Sequence, residues 1–355
     1  MKQAVIVVMI IATQTGCLFW RSTALHPKRF AFIPAGTKPG TVAINIDEYG
    51  LDELTIGVGV YDDMIYVADN SQRRFQVMKP DGDIKLIIGS AKELAGKNLP
   101  VANFNFGTIG AFTAGEDGSI YIQNRFATIR DNQNPDRGSN DSIDYSPSYI
   151  VVFDRRGALQ YTLGQKGTPE TPFYHIERLW VDAKGRLIVS SRSGDSWNLF
   201  RFNGKARDIF VNYGTIEFRD RNEDEVYEGR IDNIRPFSDG DKVILSVSYY
   251  HGTRLKYIKL IEYPLEGSGT RIVRQIPDPQ YVLFDIIDDK YIYLWNVADG
   301  NVRFEICSLN GNILNNTHIR FNGKPNYYTK IFRDEEGTLY SFHIVRFGVE
   351  IIKWE

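Results

Sequence analysis

The sequence predicts an all-β fold, a six-bladed β-propeller closed by an N-terminal strand that completes the last blade. Three observations carry this expectation. Residues 54–89 (LTIGVGVYDDMIYVADNSQRRFQVMKPDGDIKLIIG) hold four short apolar runs separated by Asp/Asn/Gly/Pro turns, the pattern of an antiparallel four-stranded meander. The same signal, a polar turn followed by an apolar run, recurs through the rest of the chain. The last copy lacks a strand, while residues 41–47 (TVAINID) alternate like a strand and stand ahead of the first copy with no blade of their own.

The first residues read as a targeting segment. Lys2 supplies a positive start, and residues 4–12 (AVIVVMIIA) form an apolar run too short to span a bilayer. Gly16-Cys17 after such a run resembles a bacterial lipobox. That resemblance implies removal of a signal peptide, residues 1–16, and acylation of Cys17, which would anchor the mature protein to a membrane of the bacterial cell envelope, periplasmic or surface-facing. Each buried lipid CH₂ contributes about 0.8 kcal/mol to such an anchor. Gln14 stands where the usual motif has Leu, a departure found in lineages that include spirochaetes. Residues 17–40, with Pro27, Pro34, Pro39, Gly36 and Gly40, read as the lipidated cysteine and its tether, and residues 41–355 as the propeller.

Composition narrows the partners. The 42 Lys and Arg balance 44 Asp and Glu and are interspersed with them, which argues against a basic face for nucleic acid. Tyr and Phe, 20 and 21, far outnumber 4 Met, as suits sheet surfaces. Of the two cysteines, Cys307 lies in a strand pattern and reads as a small buried hydrophobe. A fold without disulfides needs a large core of its own.

The copies follow in order. Asp62-Asp63 opens the first hairpin, and its counterparts are Asp117-Gly118, Lys184-Gly185, Asp239-Gly240, Asp288-Asp289 and Glu336-Gly337, each before an apolar run. Their spacing is about 48 residues where the copies are compact, the size of one propeller blade. Later turns recur as well: Lys79-Pro80-Asp81-Gly82, Asp154-Arg155-Arg156-Gly157, Asn203-Gly204, Glu266-Gly267 and Asn310-Gly311. The sixth copy ends after three strands, so residues 41–47 are expected to supply the fourth. Two stretches break the period, residues 125–147 and 212–229, and are expected to be surface loops.

Residues 66–82 (YVADNSQRRFQVMKPDG) resemble an NHL repeat: a Tyr-Val-Ala-Asp run, a polar turn, Arg, an apolar strand and a Pro-Asp-Gly turn. The motif is clear in the first copy; the second keeps part of it, and the others keep only turns and strands. The resemblance implies that Asp69 and Arg74 serve blade geometry.

No nucleophile elbow, phosphate-binding loop or zinc-protease motif is present. The five histidines fall in the tether and four different copies, which gives no zinc set. The Asp/Asn-rich residues 125–147 lack the order of a calcium loop. Related gluconolactonase-type propellers hold a divalent metal in the channel, and polar residues expected near the starts of the innermost strands are the channel-mouth candidates: Glu177, Arg178, Asp232, Asn233, Arg235, Asp285, Asn326 and Lys330. Tyr249-Tyr250 and Tyr327-Tyr328 read as interface or half-buried sheet aromatics. The functional expectation is a membrane-tethered module that binds a protein or glycan of the envelope, with no cofactor and no catalytic residue assigned. The alternative is a hydrolase or lyase using a divalent cation in the channel.

Overall fold

Six antiparallel sheets follow one another along the chain. The computed structural model describes residues 23–355 except 48–49, 52–53, 91–98, 126–127, 130–142, 145–147, 165–172, 223–224, 278, 299 and 322–325. From the inside outward, blade one is Ile56–Tyr61, Met64–Asp69, Arg74–Met78 and Ile84–Gly89. Blade two is Thr108–Ala114, Ile120–Arg125, Ser148–Phe153 and Leu159–Leu163; blade three is His175–Val181, Leu187–Ser193, Ser196–Asn203 and Ala206–Asn212. Blade four is Glu225–Pro236, Lys242–His251, Arg254–Pro264 and Arg271–Ile276; blade five is Val282–Ile287, Tyr291–Ala298, Asn301–Ser308 and Ile313–Arg320. Blade six is Tyr328–Arg333, Leu339–Val345 and Gly348–Trp354, completed by Pro27–Pro34.

The period of two along each strand explains how one meander buries both faces. Val67 turns into a cluster shared with blade six, while its neighbours Tyr66 and Ala68 turn into a cluster shared with blade two. The same alternation builds a hydrophobic cluster between every consecutive pair of blades, including six with one. The core is therefore a ring of six inter-blade layers, which is what makes the fold a six-bladed β-propeller. Turn chemistry matches: Asp62 (φ 48°) and Asp63 (φ 53°) occupy the left-handed pair that a tight type I′ hairpin demands, as do Asp288 and Asp289. Cys307 lies fully buried in the layer between blades four and five, and burial pushes its thiol up to about 12.

The closing strand is not the one expected. Pro27–Pro34 pairs antiparallel with Gly348–Trp354, and Thr23–Ala24 lies parallel to the outer edge of blade five. The stretch read as a tether thus contributes two strands, Thr23–Ala24 and Pro27–Pro34. Residues 41–47 instead cross from the closing strand to blade one, with Val42 bridged to Ala35 and Ile46–Asp47 paired to Gly50–Leu51. An outer strand accepts Pro at its ends, since no further ladder hydrogen bond is needed there, and so Pro27 and Pro34 bound the strand rather than forbid it. The second irregular stretch also differs from expectation. Phe218–Asn222 pairs with the first part of Glu225–Pro236 and gives blade four a fifth strand. Most of residues 125–147 lies outside the described residues, as do the signal segment and Cys17; Thr128–Ile129 and Ile143–Asp144 form a two-stranded ladder within it. Among the described residues no helix is long and apolar enough to cross a membrane.

The most regular repeat carries a structural clamp. Asp69 is fully buried, and its carboxylate accepts from the Ala43 amide at 3.1 Å and the Gln72 amide at 3.1 Å. Arg74, 4% exposed, donates to the carbonyls of Thr37 at 2.8 Å, Lys38 at 2.9 Å and Thr41 at 2.8 Å. Gln76 accepts from the Gly40 amide and donates to the Thr41 carbonyl. These side chains fasten the connector between closing strand and blade one, supplying partners for backbone groups that no sheet satisfies.

Candidate functional site

The innermost strands of blades two to five are interrupted at matching places. Their pairing slips by an extra residue between Ile109 and Phe112, Ile176 and Arg178, Ile231 and Asn233, and Leu283 and Asp285. The corresponding strands of blades one and six pair without a slip. A bulge breaks the in-out alternation and re-aims the side chains around it. Five of the eight sequence candidates stand at these bulges: Glu177 and Arg178, Asp232 and Asn233, and Asp285.

Beyond the bulges, toward the turns that end the innermost strands, charged side chains from four blades converge. Asp285 of blade five is 5% exposed. Its carboxylate meets Arg333 of blade six, Nε to Oδ2 at 2.9 Å and Nη2 to Oδ1 at 3.4 Å. Arg235 of blade four approaches with Nε 3.8 Å from Oδ1, and Arg178 of blade three with Nη1 3.9 Å from Oδ2. Three guanidiniums therefore face one carboxylate. Arg235, 4% exposed, is held by backbone: its Nε donates to the Phe284 carbonyl at 2.7 Å and its Nη1 to the Ile234 carbonyl at 2.8 Å and to Asn233 Oδ1. Asn233 donates to the Leu283 carbonyl at 2.8 Å. The slip in blade five frees these carbonyls, and blade four satisfies them.

Electrostatics follow from this crowding. Burial alone would raise the Asp285 carboxyl, but the charges of Arg333, Arg235 and Arg178 outweigh it and hold it below the usual carboxylate range. Burial, with Arg178 nearby, drives Arg235 well below the ordinary arginine value. Burial also lowers Arg178, and lowers Lys330, on which Arg178 adds repulsion. Lys330 of blade six stays open to solvent although protein crowds round it, and its side chain makes no hydrogen bond or ion pair among the described residues. Tyr61, at the end of the innermost strand of blade one, donates to the Phe112 carbonyl at 3.3 Å, and burial pushes its hydroxyl up to about 12.

A second set of charges sits at the slips of blades three and four. Glu177 lies 3.6 Å from Arg192 and 3.9 Å from His175. Asp232 accepts from the Ser248 hydroxyl, and burial raises its carboxyl. Arg192 stacks on Trp197 at 5.1 Å, and Arg125 is lowered by burial against the pull of Glu177. Asn326 is exposed, four residues before Lys330, and does not join the convergence on Asp285.

The residues present do not suit a divalent cation at the convergence. Its one carboxylate already faces three guanidiniums, and among the described residues no group of three or more His, Cys, Asp or Glu is placed to hold a metal. Nor is a nucleophile poised for attack: Ser341 Oγ lies 2.8 Å from His343 Nε2, but Ser341 is fully buried and also accepts from Trp354. A polar groove of about 520 Å³ opens away from the channel, between turns of blades two and three. Its Asp154 is already bound to the Arg156 and Ala158 amides of its own turn.

Arg333 belongs to the convergence but was not among the candidates. It ends an innermost strand immediately before the acidic turn Asp334-Glu335, which hides it among the polar residues of that turn. Comparing the same position across the copies is the signal that finds it. Of the aromatic pairs, Tyr249 is buried against Tyr257 and Tyr250 is half-buried beneath Arg230, while Tyr327 is 41% exposed.

No protein-family model matches the sequence, and no curated protein matches it. Solved structures similar to this chain include a calcium-binding protein, regucalcin, from Agrobacterium tumefaciens, at 10% identity and a TM-score of 0.46, covering 94% of this chain and 94% of that one. Another is a luciferin-regenerating enzyme, at 12% identity and a TM-score of 0.44, covering 88% and 94%. A third is the polysaccharide lyase Uly1, at 10% identity and a TM-score of 0.41, covering 92% and 97%. Likeness at this level transfers neither ligand nor activity, and the assignment of the fold rests on the six sheets themselves.

Proposed function

We propose that this protein is an exported, lipid-tethered propeller that acts as a binding or scaffold module of the bacterial cell envelope, receiving a protein or glycan partner at its channel. The convergence of Arg178, Arg235 and Arg333 on Asp285 carries this reading. Burying charge is costly, and a ring closed only for stability is better served by apolar inner strands. Blades three, four and five instead spend slips in register on presenting polar groups to one another, the kind of arrangement expected where a ligand group is to be met. The Gly16-Cys17 junction supports the anchor.

Two experiments test the reading. Cys17→Ser should move the protein from the membrane to the soluble fraction of envelope preparations; a variant that stays on the membrane rules out the lipid anchor. Wild-type protein used as bait in solubilised native membranes should retain an envelope partner that Arg178→Glu bait loses. A partner held equally by both baits sits elsewhere on the propeller, and the channel reading fails.

A further inference from the structure

We propose that the channel is an oxyanion receptor, in which the Arg178 guanidinium and the Lys330 ammonium clamp a carboxylate, sulfate or phosphate group of the ligand. The proposal rests on the channel being the ligand site and names the chemistry that site takes.

Charge inventory is the first argument. Arg178, Arg235 and Arg333 meet a single carboxylate at the convergence, Asp285, and Lys330 stands on the innermost strand of blade six three residues before Arg333. The nearest other carboxylates redress this only in part. The charge of Glu177 reaches Arg178 and Arg235, but its carboxylate lies 3.6 Å from Arg192 and 3.9 Å from His175, and Glu335, in the turn after Arg333, has its carboxyl raised by burial and by Glu116, Asp334 and Asp62. A balanced structural network pairs each cation; this one leaves a surplus.

The surplus is placed where a ligand reaches it. Arg333 and Arg235 are committed, the first to Asp285 and the second to backbone carbonyls. Arg178 is 42% exposed in its side chain and stands 3.9 Å from Asp285, too far for a hydrogen bond. Lys330 is exposed and unpaired among the described residues. They project from blades three and six, which lie opposite each other in a ring of six, yet are close enough for Arg178 to repel Lys330. A group between them receives donors from both sides, and a planar guanidinium suits two oxygens of one oxyanion. Asp285 and Arg333 then act as positioning residues: the carboxylate holds Arg178 and Arg333 on one side of the channel without neutralising both.

The test uses purified protein with sodium glucuronate, sodium sulfate and sodium phosphate, against glucose and sodium chloride at matched ionic strength, read by titration calorimetry and thermal unfolding. At least one oxyanion should bind with a stoichiometry of one and raise the melting temperature above the chloride control. Arg178→Ala and Lys330→Ala should each weaken that binding tenfold or more, and Arg178→Lys should recover part of it. Glucuronate alone binding assigns a carboxylate, sulfate or phosphate alone an ester, and all three a general oxyanion site. No binding by any of the three, or binding that both alanine variants keep, overturns the proposal. Circular dichroism confirms that the variants are folded. A partner that depends on Arg178 while all three anions fail leaves the channel reading standing and removes the oxyanion site; anion binding with a partner indifferent to Arg178→Glu does the reverse.

Discussion

Blade one and the channel use buried charge in opposite ways. In blade one, Arg74 is surrounded by three carbonyls that accept from its Nη1 and Nη2 and by the Asp69 carboxylate 3.5 Å away. In the channel, Arg178 is lowered by burial and stands between the attraction of Asp285 and the repulsion of Arg333, and the Lys330 side chain makes no hydrogen bond or ion pair among the described residues. The first arrangement fastens the ring; the second holds charge in reserve. The clearest sequence motif in this chain marks its architecture, while the crowding of charge on Asp285 lies where the repeat is disturbed.

Four outcomes would break or sharpen that contrast. Arg74→Ala removes the counter-charge of a buried carboxylate and the donor to three carbonyls, and should cost about 3–5 kcal/mol in urea unfolding, with no recovery from added anions. Asp285→Ala leaves three guanidiniums facing one another and should cost a similar or somewhat smaller amount, about 3 kcal/mol, but here sulfate should restore part of the loss by occupying the vacated charge position. Equal behaviour of the two variants toward sulfate would erase the distinction. Arg178→Ala should change stability by less than about 0.5 kcal/mol, or raise it, because it removes repulsion and no hydrogen bond. A large loss would make Arg178 a structural residue like Arg74.

The smallest effect concerns pH. Burial and Arg178 lower the Lys330 pKa in the folded protein, so the unfolded chain keeps this proton to higher pH. Stability gained from Lys330 therefore rises as pH climbs from the folded pKa toward the unfolded value of about 10.4, and the cost is fully present below that window. Lys330→Met should be the more stable protein at neutral pH, with its advantage shrinking as pH rises toward 10. Tyrosine ionisation affects both proteins alike and cancels in the difference. An advantage that grows with pH contradicts the assignment.

The fold was legible because its information is local. Paired turns such as Asp62-Asp63 and Asn310-Gly311 punctuate strands of alternating pattern, and their recurrence reveals the blades. The closing strand was misplaced because its partner is not local. Residues 41–47 alternate more cleanly than PKRFAFIP, yet what selects Pro27–Pro34 is pairing with Gly348–Trp354, over 300 residues away, and no local window contains both. At the site, Arg178, Arg235, Asp285 and Lys330 were visible as polar residues on apolar strands. Their meeting on one carboxylate was not, since it depends on register slips that shift side chains by one place. Arg333 was hidden by the acidic turn that follows it.

The closing strand also sets an order of events. Pro27 is made long before Trp354, with which it pairs. During that interval Pro27–Pro34 has no strand to pair with and its ladder waits open in the growing chain. Lys28 and Arg29 stand on the waiting strand, and charge on such an edge discourages pairing with another copy. Joining the ends closes the longest loop the chain contains, a slow step because its entropy is spent before its contacts form. Ring closure should accordingly be the last stage of folding, and a chain truncated before Gly348 should persist as an open, association-prone array.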